Sequence, residues 1–192
     1  AGGGVFLGDI GTHAFHLACF VSGLTTASVL EDMNYFFDGR QLDDNVHVLL
    51  RFEGGAKGML WASQVAPGNE NGLRLRIYGD KAGLSWSQEN PNYLTFSPLG
   101  EPSRLLGRGG PGLTGAAERV TRIPPGHPEG YLEGFATIYR EVADAIEAKR
   151  NGKDQPDEVN FPDLEEGLQG MRFVDAVLRS HKNGGVWTSL NS

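Results

Sequence analysis

The sequence predicts an α+β fold, in which a largely antiparallel, open β-sheet carries helices on one face. Three observations lead to this class. A helix-like segment opens the chain, about six short strands follow between residues 26 and 97, and two long amphipathic helices lie near the end. Because the strands are separated by turns and not by helices, antiparallel pairing is favoured over βαβ units. We expect residues 1–192 to form one domain of this type.

Composition excludes several classes of protein. The 24 acidic and 17 basic side chains give a net charge of −7 without a basic run, which argues against nucleic-acid binding. The apolar runs are too short to cross a membrane. The single cysteine, Cys19, permits no intrachain disulfide and favours a reducing, cytoplasmic setting. The opening Ala-Gly-Gly-Gly, with neither an initiator Met nor a signal-peptide pattern, indicates a domain taken from a longer chain.

The strands are predicted from alternation and from turn residues. β-Forming residues at 26–37 end at the turn Asp38-Gly39. Residues 44–53 and 57–66 alternate on either side of Gly54-Gly55, which predicts a β-hairpin. Three further strands are expected at 73–78, 83–87 and 92–97.

With helices on one face, the other face of the sheet must meet water or another molecule. Trp61 and Trp86 stand at strand positions together with several Leu and Val residues. Large apolar side chains are unfavourable on a fully solvated face. The sequence therefore predicts oligomerisation through the sheet, as a homodimer or a homotetramer.

The second half is predicted to hold a long loop, two helices and a closing strand. Residues 98–130 contain six of the ten prolines and show no sustained period, which is typical of a functional loop. A helix over 130–149 has an apolar stripe made of Tyr131, Phe135, Ile138, Tyr139, Val142 and Ile146. A helix over 163–181 begins with a capping box, Asp163 and Glu166, and is followed by a strand at 186–188. In the helix over 163–181, the residues expected to point inward are Leu164, Leu168, Met171, Val174, Val177 and Leu178.

The opening helix, residues 9–23, carries the most informative pattern. At about 100° per residue, one stripe about 60° wide contains Asp9, His13, His16 and Phe20. A neighbouring apolar stripe is expected to dock on the core and consists of Ile10, Ala14, Leu17, Val21 and Leu24. Gly23 is expected to end the helix as a C-terminal cap. Three titratable groups beside the docking face are not needed for docking, so they are candidates for chemistry.

The spacing of these groups leaves three interpretations open. Asp9 and His13 lie at i and i+4, where a carboxylate can orient an imidazole and raise its basicity for general acid–base work. Alternatively, Asp9 only caps the helix and His13 is a core histidine, because Asp is a favoured capping residue. A metal held by Asp9, His13 and His16 is a third interpretation, which no second Cys/His cluster supports.

Two other segments are candidates for ligand binding. Residues 107–112 match the pattern G-x-G-x-x-G, but Pro111 lies inside it and Pro124-Pro125 follow, so we interpret the segment as a loop without nucleotide-binding capacity. His127 and Tyr131 close the long loop directly before a helix. They either hydrogen-bond the hydroxyl groups of a sugar or shape the entry to the helix.

Several stretches together resemble one known family. The run Gly3-Gly4…Gly8-Asp9-Ile10-Gly11-Thr12-His13…Leu17…Gly23 resembles the D-x-x-x-H segment of the glucose-fructose oxidoreductase/inositol dehydrogenase/MocA (Gfo/Idh/MocA) family. Leu60…Ser63, residues 75–84, Phe135…Pro156, Gly167…Ser180 and Gly185-Val186-Trp187 are similar to later family segments in the same order. The resemblance covers nearly the whole chain.

The resemblance implies a role for the chain and for its residues. The chain would be the C-terminal substrate-binding and oligomerisation domain of a dehydrogenase that uses NAD or NADP. The cofactor would be bound mainly by an N-terminal Rossmann domain, which is absent from this sequence. His13 would exchange the proton of a substrate hydroxyl and Asp9 would orient it, while hydride passes to the nicotinamide of the cofactor.

The same resemblance suggests a substrate class and leaves an alternative. The expected substrate is a sugar, polyol or cyclitol, and the residues expected to bind it are Thr12, His16, His127 and Tyr131. Many family members carry Asp where this chain has His16. The chain alone is expected to be inactive, and the alternative is a non-catalytic oligomerisation or regulatory binding module with the same fold.

Overall fold

The computed structural model describes residues 7–191, so the glycines at positions 2–4 and the residues up to 6 lie outside the described part. A π-helical turn, Leu7–Gly11, leads into the first helix. The helices are α1 Thr12–Ser22, α2 Gly115–Val120, α3 Tyr131–Arg150 and α4 Leu164–Lys182. The strands are β1 Thr26–Asn34, β2 Asn45–Phe52, β3 Lys57–Ser63, β4 Arg74–Tyr78, β5 Ala82–Ser87, β6 Tyr93–Pro98, β7 Arg104–Gly107 and β8 Thr188–Ser189.

The chain divides into two compact units. The first joins the part up to Glu70 to the part from Asp163 onward, and the second runs from Asn71 to Pro162. The first unit therefore contains α1, β1–β3, α4 and β8, and the second contains β4–β7, α2 and α3.

The first unit is an antiparallel sheet with helices on one face. Its strand order is β3-β2-β1-β8, and the hairpin of β2 and β3 turns through Gly54 and Gly55, both at positive φ. Alternation places one side of each strand in the core, as the period of two requires. The buried side chains of these strands and of the packed helical segments are Leu7, Phe15, Val29, Met33, Val46, Val48, Leu50, Leu60, Ala62, Phe173, Ala176, Val177 and Leu190.

The second unit is a meander with strand order β4-β5-β6-β7, all pairs antiparallel. On one face of β4, Leu75 and Ile77 are partly buried, and their cross-strand neighbours on β5 are Trp86 and Leu84. Helix α3 is tied to its surroundings through Glu141, whose carboxylate accepts hydrogen bonds from Arg119 at 2.6 Å and from the Asn160 amide at 3.0 Å. Directional polar contacts therefore hold this helix.

The α+β class and the antiparallel pairing are confirmed, and the strands are distributed over two sheets where the sequence was interpreted as one. Alternation along a strand reveals which residues share a face, but not which strands are neighbours. Between β3 and β4 the chain passes through Pro67 and Gly68, and no ladder joins these two strands.

The segment 98–130 contains more regular structure than its composition predicts. It includes β7, which pairs with β6, and α2, whose first turn is capped by the Thr114 hydroxyl. Both elements are short, four and six residues, so neither shows a hydrophobic period over a window long enough to detect.

The helices predicted from the apolar stripes are present, but several residues of those stripes do not face the core. In α1 the buried residue is Phe15, whereas Ile10 and Val21 of the expected docking stripe are exposed. In α4, Val177 is buried as expected, but Leu164 of the same stripe is 89 % exposed. The α3 stripe is largely exposed; its exposed members are Tyr131, Phe135, Ile138, Tyr139 and Ile146. A wide apolar stripe fits several docking angles, and tertiary packing selects one.

The closing strand lies slightly later than predicted, at Thr188–Ser189, where it pairs with β1. Trp187, expected within the strand, instead lies beneath the Arg51 guanidinium, 3.8 Å from the ring centroid. The Gly23 cap in the left-handed conformation and the capping box of α4 are confirmed. The predicted ends of two strands are wrong, since β1 ends at Asn34 and β3 at Ser63, each three residues early. The first α-helix starts at Thr12, because the residues before it form the π-helical turn.

Candidate functional site

The candidate site begins at the π-helical turn, which passes without interruption into α1. Gly11 joins the two with helical angles, φ −61° and ψ −35°. Helix α1 is fixed to the core because the Phe15 ring stacks on Phe173, with centroids 4.2 Å apart and planes 9° apart. π-Helical turns are rare and frequent at functional sites. Asp9 lies within the turn and His13 lies one residue after the start of α1.

Asp9 and His13 are both exposed, so a ligand can reach them. Within the described part of the chain, no hydrogen bond joins their side chains, and Asp9 does not act as the side-chain cap of α1. The interpretation of His13 as a buried core histidine is therefore wrong. A carboxylate and an imidazole that both reach solvent from one anchored helical segment have the accessibility that acid–base chemistry needs.

Thr12 and His16 flank this pair and have partners of their own. The Thr12 hydroxyl lies 2.9 Å from the carbonyl oxygens of Gly8 and Asp9, to which it can donate, so it supports the widened turn. His16 Nε2 lies 3.5 Å from Glu166 Oε1 on α4, and its ring stacks against Phe20. The position of His16 is therefore explained by contact between α1 and α4, whatever else it does.

His127 and Tyr131 belong to the second unit, and both are exposed. The Tyr131 ring is in tilted contact with Phe135, with centroids 4.8 Å apart. The backbone of His127 is fixed, because its carbonyl accepts a hydrogen bond from Arg108 at 2.7 Å and its amide donates to the Pro124 carbonyl. The imidazole of His127 is thus presented from a held backbone.

A polar cluster that the sequence interpretation passed over holds this loop. Arg108 Nη1 lies 2.5 Å from Glu129 Oε2, and the Glu129 carboxylate also accepts the amides of Arg122 and Ile123. Asn92 adds a reciprocal pair, since its side chain accepts the Glu129 amide and donates to the Glu129 carbonyl. Asn92, Arg108 and Glu129 lie 16 to 37 residues apart in sequence, so no local pattern reveals the contacts among these three side chains.

The buried carboxylate of Glu31 forms a separate cluster in the first unit. Glu31 Oε1 lies 3.0 Å from His181 Nδ1, while Glu31 Oε2 has no hydrogen-bond partner among residues 7–191. Burial raises the pKa of Glu31, and the charge of His181 and its hydrogen bond oppose the rise. Burial, together with the charges of Asp43 and Glu31, raises the pKa of Tyr35.

The segment 107–112, which matches the pattern G-x-G-x-x-G, does not form a dinucleotide-binding motif. Strand β7 does precede residues 107–112, but it is antiparallel to β6, and α2 starts only at Gly115. Arg108 inside the motif is engaged with Asn92 and with three backbone carbonyls. A dinucleotide needs a helix that opens at the last glycine after a parallel strand. Residues 107–112 therefore do not form the phosphate-binding turn of a dinucleotide site.

Within residues 7–191, His, Cys, Asp and Glu side chains form no group of three able to hold a metal ion. No helix in the same range is both long enough and apolar enough to cross a bilayer.

Comparison with known proteins gives one consistent result. The sequence pattern described as "Oxidoreductase family, C-terminal alpha/beta domain" matches residues 1–190. The chain is similar to an uncharacterised oxidoreductase, YfiI, of Bacillus subtilis, with 36 % identity over 97 % of this chain and 48 % of that protein.

Solved structures of similar sequence are also oxidoreductases. An oxidoreductase from Sinorhizobium meliloti is 58 % identical over 94 % of this chain and 51 % of its own, with a TM-score of 0.90. An inositol dehydrogenase homolog from Azotobacter vinelandii, complexed with NADH and myo-inositol, is 34 % identical over 96 % and 49 %, with the same TM-score of 0.90. The chain thus spans about half the length of these relatives.

Proposed function

Because the chain belongs to the Gfo/Idh/MocA oxidoreductase family, as its C-terminal α/β domain, we propose that it is the substrate-binding domain of a nicotinamide-dependent oxidoreductase. The proposed substrate is a CH–OH group of a sugar, polyol or cyclitol. The observation that carries the proposal is the exposed pair Asp9 and His13 on a helical segment anchored to the core. The Azotobacter vinelandii relative described as complexed with NADH and myo-inositol supports this substrate class.

In the proposed mechanism, an imidazole nitrogen of His13 takes the proton of the substrate hydroxyl when the carbon that carries it is oxidised. In the reverse reaction, the same nitrogen returns the proton. The nicotinamide, bound by a part of the protein other than these residues, would take the hydride. Asp9 would orient the imidazole during the reaction and accept a hydrogen bond from the substrate. Both groups are exposed, so a hydroxyl can approach them without displacing packed side chains.

The proposed substrate contacts differ in what supports them. His127 and Tyr131 are exposed, and each carries a polar group suited to a sugar hydroxyl. For Thr12 the hydroxyl is engaged with the turn, and for His16 the contact with Glu166 is a competing role. We therefore expect alanine at His127 to weaken substrate binding more directly than alanine at Thr12, whose loss would also disturb the turn.

The test replaces His13 with Ala in the full-length protein and screens sugars and cyclitols with NAD and with NADP. Removing a general base should lower turnover by about 10²–10⁴-fold while cofactor affinity stays nearly the same. Added imidazole should restore part of the rate, and Asp38→Asn, at an exposed aspartate of a surface turn, should have little effect. Unchanged turnover in His13→Ala would overturn the proposal.

A second candidate function, self-association, is favoured by the outer face of the first sheet. Leu49 on β2 lies opposite Met59 on β3 and His47 lies opposite Trp61, and Met59 and Trp61 are 72 % and 56 % exposed. An apolar row of this kind is typical of a surface that another protein covers. We propose that this face joins copies of the protein.

Light scattering on Met59→Glu tests the association. A charge in the covered face should shift the full-length protein to a smaller assembly, whereas Arg76→Glu, on an exposed strand position of the second unit, should not. The same mass for wild type and Met59→Glu would exclude this face as the interface. Association without turnover would favour the non-catalytic alternative.

A further inference from the structure

The π-helical turn that carries Asp9 starts at a buried residue. Leu7 is fully buried in the core, and the space beside it is filled so closely that a Cβ on Gly11 would come within 2.8 Å of Leu7 Cδ1. The first amide of a helical segment has no partner within the segment. Because Leu7 is buried, its amide cannot rely on water, and an unsatisfied buried donor is costly.

The side chain of Asp43 supplies the missing partner. Asp43 Oδ2 accepts a hydrogen bond from the Leu7 amide at 3.0 Å, across 36 residues of sequence. Asp43 lies two residues before β2 and is only 3 % exposed. A carboxylate at the start of a helical segment also interacts favourably with the aligned peptide dipoles. Asp43 thus caps the turn from a different element of the same unit.

The hydrogen bond to the Leu7 amide is the contact that distinguishes the Asp43 carboxylate from its neighbour Asp44. Asp43 Oδ1 is buried and has no hydrogen-bond partner in the described part of the chain. The neighbouring Asp44 is different, because its oxygens accept the amides of Phe36 and Phe37 and so organise the preceding loop. Burying a carboxylate that makes a single backbone hydrogen bond is unfavourable for stability. Its value lies in where it holds Leu7.

We propose that Asp43 is a positioning residue, which holds the Leu7 amide and thereby sets the geometry in which the turn and α1 present Asp9 and His13. The effect on turnover rests on the proposed function of that pair. The effect on the turn does not, because it concerns only the backbone between Leu7 and the first residues of α1.

The experiment compares Asp43→Ala, Asp43→Asn and Asp44→Asn in the full-length protein. Hydrogen exchange, read by mass spectrometry on the peptide covering residues 7–17, reports on the turn without any substrate. Losing one buried hydrogen bond should speed exchange there by about tenfold in Asp43→Ala. Asn keeps a neutral acceptor, so Asp43→Asn should speed it by about threefold. Asp44→Asn should leave this peptide unchanged and loosen the loop before β2.

The kinetic readout separates positioning from general damage. A misplaced pair should lower kcat by about 10–100-fold in Asp43→Ala and leave KM for the cofactor unchanged, with Asp43→Asn within about threefold of wild type. If Asp43→Ala does not fold, the local exchange in Asp43→Asn decides. The proposal would be overturned if the 7–17 peptide of the Asp43 variant exchanged at the wild-type rate. A rise in exchange spread evenly over all peptides would overturn it as well. Normal turnover in His13→Ala would instead overturn the proposed function and leave the exchange result to stand.

Discussion

The interiors of the two units are stabilised by different kinds of contact. In the first, Phe173, Val29 and Val48 are fully buried among other apolar side chains. In the second, all of whose residues the structure describes, the buried side chains are two carboxylates, Glu129 and Glu141, and the small apolar Ala148. The first unit thus has a fully buried hydrophobic core. The second combines partly buried apolar side chains, such as Leu75 and Trp86, with polar contacts around its buried carboxylates.

This difference decides how the candidate residues of each unit can be disturbed. Hydrophobic burial is non-directional and scales with area, so a core fixes α1 through packing. Ion pairs and hydrogen bonds depend on geometry and on each partner being present. Asp9 and His13 should therefore respond to changes in packing, and the loop that carries His127 should respond to the loss of single charged groups.

The largest expected effect is in the first core. Phe173→Ala should lower the free energy of unfolding by about 3–5 kcal/mol, because it removes a fully buried ring that stacks on Phe15. Phe135→Ala is the matched change in the second unit, where the ring is 46 % exposed, and it should cost about 1 kcal/mol or less. Chemical denaturation measures both. Equal losses would mean that the second unit also depends on a hydrophobic core.

The same contrast explains how much of the molecule could be predicted from its sequence. The faces of β2 and β3 were predictable, because a period of two assigns Val46, Val48 and Leu60 to one side without knowledge of neighbours. The capping box at Asp163 was predictable because both partners lie within three residues. Forces that act within one element leave a local pattern.

Forces that act between distant elements leave no such pattern. The pair Arg108 and Glu129, and the hydrogen bond from Leu7 to Asp43, join residues far apart in sequence, and each partner looks ordinary in its own segment. The exposure of Asp9 and His13 was also undecided, since their spacing fits a cap and a core histidine as well as a site. Tertiary packing decides which side of α1 faces outward, because Phe15 is buried in the core and Ile10 is exposed.

A smaller effect is expected from the polar cluster of the second unit. Glu129→Ala should cost about 2–3 kcal/mol, since it leaves the Arg108 guanidinium and two backbone amides without their acceptor. The cost should appear as faster proteolysis within residues 121–131. Replacing both partners, as Arg108→Met with Glu129→Met, should recover part of the loss because no buried charge is then left alone. A loss in Glu129→Ala well below 1 kcal/mol would show that the cluster does not hold the loop.

The smallest expected effect concerns Glu31, the buried carboxylate of the first unit, and it appears as a dependence on pH. Its pKa is raised by burial, so the folded state binds this proton more tightly than the unfolded state. The stabilisation is therefore fully present below the unfolded pKa, about 4.3, and is lost as pH rises through the folded pKa. Glu31→Gln cannot ionise, so its stability relative to wild type should increase between about pH 4 and pH 7.

Urea unfolding of wild type and Glu31→Gln at several pH values in that range measures the change. In His181→Ala the interaction that opposes the effect of burial is absent, so the protein should lose stability more steeply as pH rises. A difference between wild type and Glu31→Gln that stays constant over the range would contradict a raised pKa. It would also imply that the ionised Glu31 carboxylate, despite an oxygen without a described partner, is stabilised by the protein as well as by water.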